Sequence, residues 1–219
     1  MTIGTILLLL AGILILLGAG QRVLDRMRLT DRQALLFIAL IVAGGFLPDI
    51  RVTRDFAFNL GGALIPLAIC IYLLFKADTT AERVRSVIAP ILTAVAVYLL
   101  GRLLPDEPEA MPVDPNYIYG PAAGVIAYLF GRSRRCAFIS GVVGVTLANV
   151  ATWLAVRSAG VEQRLVLGGA GAYDVIVISG LLAVLLAELI GEAVERARRG
   201  RRRPIREYVD GDFVRKEHE

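Results

Sequence analysis

The sequence predicts an all-α polytopic membrane protein with about seven transmembrane helices, N-terminus outside and C-terminus in the cytoplasm. Three observations carry this. Apolar runs recur along the whole chain, which is 56% hydrophobic and only 20% charged over 219 residues; soluble domains are nearer one quarter charged. Basic residues fall in alternate loops. Small residues recur every four positions in the later apolar runs, a spacing that lets helices pack closely in lipid.

The expected spans are Ile3–Gly20, Ala34–Leu47, Phe56–Phe75, Val84–Leu104, Tyr117–Phe130, Cys136–Val156 and Gly169–Ile190. The first, "ILLLLAGILILLGAG", has no basic residue before it, and its arginines follow; a retained helix fits better than a cleaved signal. A crossing needs about 20 residues. The second run is short and extends back through "TDRQ"; the fifth opens with "PNYIYGP" and ends against the turn "GRSRR". With the N-terminus outside, 19 of the 24 basic residues lie on the inner side and 5 on the outer. The outer loop "LLPDEPEAMPVDPNYIYG" is acidic and rich in proline, so it reads as an extended cap. Ser140, Gly144, Ala148 and Thr152, and likewise Ala123, Ala127 and Gly131, form the small-residue stripes. Residues 1–195 are thus a helical bundle and 196–219 a basic cytoplasmic tail.

That tail has seven arginines in the eleven positions from Arg196. It holds the C-terminus inside and suits anionic lipid head groups, each basic residue being worth about 1 kcal/mol near such a surface. The patch lacks interleaved aromatics, so no nucleic acid is expected. Beyond Arg203 the tail carries Pro204 and no useful apolar period, and is expected to stand apart from the core.

Composition excludes much chemistry. There are 2 Cys and 1 His, the latter in the tail at His218. No His/Cys zinc site and no serine–histidine pair can be built, so no metal or cofactor is expected. Cys70 and Cys136 read as small apolar packing residues.

The polar residues of the spans gather at one level, the outer end. Asp49 closes the second span in "GGFLPDI". Asn59 lies one turn into the third, in "FNLGGALIPLAI". Asn149 is in the outer half of the sixth. Asp174 follows "GGAGAY" in the seventh. On a continuous helix, Glu188 would share the face of Asp174. An ionisable group inside a span marks a functional site by default, because its burial costs about 2.5–3.5 kcal/mol or more. A solvated turn carboxylate is the structural alternative for Asp49, and interhelical hydrogen bonding is the alternative for Asn59 and Asn149.

The segments "LPDI", "NLGGALIPLAICIYLL" and "GGAGAYDVIVISGLLAVLLAEL" resemble a prokaryotic family of multi-spanning membrane proteins, the domain of unknown function 1614, up to about Glu192. The resemblance implies a multi-pass protein of the prokaryotic cell membrane and no particular activity. A second, partial likeness is to the intramembrane aspartyl proteases, whose Gly-x-Gly-Asp motif leads into an apolar helix. Here Gly171-Ala172-Tyr173-Asp174 does so, with Tyr173 in place of the second glycine and Asp49 the available partner carboxylate.

Two functions follow as expectations. In one, Asp174, Asp49, Asn59 and Asn149 line an outward-facing polar pocket for a cation, a proton or a small solute. In the other, Asp174 and Asp49 are the catalytic pair of an aspartyl hydrolase and share a proton. A structural or assembly protein without ligand is the third possibility.

Overall fold

The computed structural model describes residues 27, 29–103, 115–171, 174–201, 206–209 and 212–215. The first expected span, Ile3–Gly20, and most of the acidic loop lie outside the described residues.

Helix α1 (Asp31–Gly45) begins at a capping box. Thr30 Oγ1 accepts from Gln33 N at 3.3 Å, and Gln33 Oε1 accepts from Thr30 N at 3.1 Å. These bonds satisfy two of the N–H groups that a helix start leaves orphaned. The same Gln33 donates from Nε2 to the Tyr72 hydroxyl at 3.3 Å.

The third apolar run is not one continuous helix. It is divided into strand β2 (Phe56–Phe58), a π-helix over Leu60–Leu64 and helix α2 (Ile65–Phe75). Two local features account for the break. Asn59 turns its side chain onto the next backbone N–H groups, and Pro66 has no N–H to return to residue 62. The wider π turn separates the two.

Four longer helices follow: α3 (Thr80–Leu103), α4 (Pro115–Gly131), α5 (Arg134–Ser158) and α6 (Val175–Arg201). Helix α5 is central, packing on α2, α3, α4 and α6. Every residue from Arg135 to Val142 is buried, so no face of that stretch is free, as in the core helix of a bundle. The small-residue stripes make these contacts. Thr93 and Ser140 share a buried hydroxyl–hydroxyl bond of 2.7 Å, and a Cβ at Gly144 would stand 2.7 Å from the Thr93 side chain. A Cβ at Gly141 would stand 2.9 Å from the Gly180 backbone. Ala127, Ala137, Ala183 and Ala187 form a small cluster between α4, α5 and α6.

The chain is mostly helical, as expected, but it is not all-α. β1 (Ile50–Arg51) runs antiparallel to β2, and β2 runs parallel to β3 (Leu165–Leu167), in the order β1-β2-β3. Phe56 pairs with Leu165, Ala57 with Val166 and Phe58 with Leu167. Helix α6 continues past the boundary at residue 195 to Arg201, and β4 (Arg206–Val209) pairs antiparallel with β5 (Asp212–Arg215).

Among the described residues two helices, α3 and α5, are long and apolar enough to cross a membrane. On α3, Val84, Val87, Ile88, Ile91, Leu92, Val95 and Leu99 are all exposed. Their three- and four-residue spacing makes one apolar stripe that faces away from the rest of the molecule.

Candidate functional site

Three glycine-bearing segments converge where the sheet meets the helices: the end of α1 (Gly44, Gly45), the π-helix (Gly61, Gly62) and the turn after β3 (Gly168, Gly171). A Cβ at Gly61 would stand 2.2 Å from both Gly45 N and Ile41 O, and one at Gly62 would stand 2.1 Å from Gly168 O. Only glycine permits such backbone approach. Gly168 and Gly171 also sit at φ +71° and +59°, in the left-handed region that side chains disfavour.

The convergence brings together two of the residues expected from sequence. Asn59 is 3% exposed. Its Oδ1 accepts from Gly61 N and Gly62 N, both at 3.0 Å. Its Nδ2 donates to Asp49 Oδ1 at 3.1 Å and reaches the Leu47 carbonyl at 3.5 Å. Its backbone N–H donates to Leu167 O at 2.8 Å, which ties it to the far strand. One buried amide thus joins the α1 exit, the π-helix and β3.

Asp174 is placed differently from the expectation. It precedes α6 and does not lie inside it. Its Oδ1 accepts from Ile176 N at 3.0 Å and its Oδ2 from Ala170 N at 3.4 Å, so it closes the turn after β3 and caps the helix start. Gly168–Gly171 before it belong to that turn. Glu188 pairs with Arg134 at 2.9 Å. Asn149 is half-buried on α5 and makes no side-chain hydrogen bond among the described residues, and it is not drawn into the Asp49–Asn59 pair.

A polar cluster at the opposite end escaped the sequence reading. Arg135, 7% exposed, pairs with Glu82 at 3.3 Å and with Asp78, and donates to the Lys76 carbonyl. Ser133 Oγ donates to Glu82 at 3.0 Å while accepting from Cys136 N. The signal was in "GRSRRC", where three arginines were counted only as cytoplasmic charge. No group of three or more His, Cys, Asp or Glu placed to hold a metal ion occurs among the described residues.

No curated protein and no solved structure matches the chain. One family model matches residues 21–186, most of its length, and carries the description "protein of unknown function (DUF1614)". The same span holds the α1 exit, the π-helix and the Asp174 turn, and by that match the chain belongs to the DUF1614 family.

Proposed function

We propose that this is a multi-pass protein of a prokaryotic cell membrane, with seven spans, N-terminus out and C-terminus in. At its outer end a polar site around Asp174, Asp49 and Asn59, to which Asn149 on α5 also contributes, binds or moves a cation, a proton or a small solute. The single observation behind the site is the glycine convergence. It gathers Asp49, Asn59 and the Asp174 turn onto one end of the molecule with no side-chain bulk between the backbones. The apolar stripe on α3 supports the membrane setting, since exposed leucine, isoleucine and valine over that length suit lipid better than water. The basic residue partition supports the orientation, and the arginine-rich tail suits anionic lipids.

The hydrolase reading draws less support, because both Asp174 oxygens accept backbone N–H groups and Asp49 accepts from Asn59. A purely structural role for Asp174 is favoured by its capping geometry, and one experiment separates it from ligand binding. Trp153, the one tryptophan of the chain, lies 5.6 Å from the Phe56 ring on the sheet beside the site, so its fluorescence reports there. The full chain is titrated with sodium, potassium and calcium and across pH. Asp174→Asn keeps one oxygen for the cap but no charge. It should melt like the parent and lose the parent's response, whereas Asp174→Leu should lose both. An unresponsive parent, or an Asp174→Asn protein that responds normally, refutes the site.

A further inference from the structure

A groove of about 350 Å3 opens beside the sheet, lined by Arg51, Val52, Thr53, Arg54 and Arg164. The backbone fixes where its three arginines start. Arg51 ends β1 opposite Ala57. The turn bearing Arg54 is closed by Val52 N and Thr53 N, which both donate to Phe56 O at 3.0 and 3.1 Å. Arg164 immediately precedes β3, where Leu165 N donates to Asp55 O at 2.9 Å.

None of the three has an ion pair among the described residues. Asp55, the acid next to Arg54, is taken by Arg157 at 2.9 Å, and that guanidinium also sits over Trp153 at 5.4 Å. Glu162, near Arg164 in sequence, is exposed and likewise makes no ion pair among the described residues. Single arginines without an ion pair among the described residues also occur elsewhere, at Arg32, Arg85 and Arg132. What sets this groove apart is that three of them line one cavity.

Guanidinium groups carried by three arginines around one space repel each other, and an anion between them relieves that repulsion. Their planar forks match the paired oxygens of phosphate better than a simple halide, and the Thr53 hydroxyl adds a donor. Phe46, Leu47, Ile50 and Val52 are exposed in the same region. Apolar side chains flanking a basic groove suit a head group whose acyl chains lie alongside. We propose that Arg51, Arg54 and Arg164 form a binding site for a phosphate oxyanion, borne by a lipid head group or by a soluble phosphate. The proposal is independent of any ligand at Asp174.

The test uses the full chain in neutral detergent, titrated with inorganic phosphate and followed by Trp153 fluorescence. In parallel it is reconstituted in phosphatidylcholine alone or mixed with phosphatidylglycerol, and the co-purifying lipid is measured. The variant carries Arg51→Gln, Arg54→Gln and Arg164→Gln. A control carries Arg32→Gln, Arg85→Gln and Arg132→Gln, removing equal charge at the other end. Each lost arginine should weaken binding by about tenfold. Loss of the phosphate response in the groove variant alone supports a soluble ligand. Loss of phosphatidylglycerol enrichment in that variant alone, without a phosphate response in the parent, supports a lipid. Should the glutamine variant fail to fold, the three lysine substitutions replace it, keeping charge without the fork, and a loss of binding there counts the same way. A groove variant that binds both probes like the parent, or an equal loss in the control, overturns the site.

Discussion

Replacing Asn59 by alanine removes the side chain that joins three chain segments, and the structure sets the size of the effect. Gly61 N and Gly62 N each lose an acceptor at 3.0 Å in a buried setting. A buried donor left without a partner costs about 1–3 kcal/mol, so the pair amounts to about 4 kcal/mol. The bond to Asp49 at 3.1 Å adds to this. Asn59→Asp is the sharper probe. It keeps the acceptor for both glycines but sets a carboxylate against Asp49. Two unit charges about 3 Å apart repel by about 5 kcal/mol at an effective dielectric of ~20. In acid one carboxyl takes up a proton and donates as the amide did. The Asn59→Asp protein should therefore approach parental stability at low pH and lose it as pH rises, while Asn59→Ala stays destabilised throughout. The assay is built into the chain: its two cysteines, Cys70 and Cys136, are both buried. A thiol-reactive dye therefore reports unfolding during a thermal ramp in detergent. An Asn59→Ala protein that melts with the parent, or an Asn59→Asp protein whose stability does not vary with pH, would refute the reasoning.

Three further outcomes are expected. Gly62→Ala should prevent folded protein from accumulating, since its Cβ would lie 2.1 Å from a carbonyl oxygen; Gly101→Ala, whose Cβ meets nothing nearer than 3.5 Å, should be neutral or gain up to about 1 kcal/mol in the dye assay. Arg135→Ala should cost about 3–5 kcal/mol by leaving Glu82 without its buried partner, whereas Arg157→Gln at the exposed Asp55 pair should cost under about 1 kcal/mol; equal losses would contradict the burial argument. A reporter fused after Glu219 should signal a cytoplasmic location, and a periplasmic signal would overturn the orientation.

The long helices were legible because their apolar runs are continuous and their ends are marked by charge. Helices α1, α3, α4 and α5 begin and end within a few residues of the expected spans. The sheet was not legible. "FAF" at Phe56–Phe58 and "LVL" at Leu165–Leu167 are apolar runs adjoining apolar helices, and periodicity does not distinguish three strand residues from a helical turn. The strands find each other across more than a hundred residues, for which a single sequence has no sign. The same ambiguity misplaced Asp174. "GGAGAY" scores as apolar, so it was counted as helix, although its glycines favour a turn. Asp49 and Asn59 were singled out as residues, but their direct bond depends on the π-helix, which residue spacing does not foretell. Arg135 was visible only as a charge, because its burial depends on the loop that carries Asp78 and Glu82.

The parallel pairing of β2 with β3 also orders events during synthesis. Phe56 and its partner Leu165 are 109 residues apart. At about 5–20 residues per second, β2 emerges roughly 5–20 s before its partner exists. In that interval α3, α4 and α5 must be made while Asn59 still lacks the Leu167 carbonyl that its backbone N–H will use. Gly62 likewise waits for Gly168. No nascent chain that stops short of β3 can contain the finished junction, however many of its helices have already formed. Assembly of this end is therefore a late event, and a translation pause between α5 and β3 would prolong the exposure of the unpaired strand.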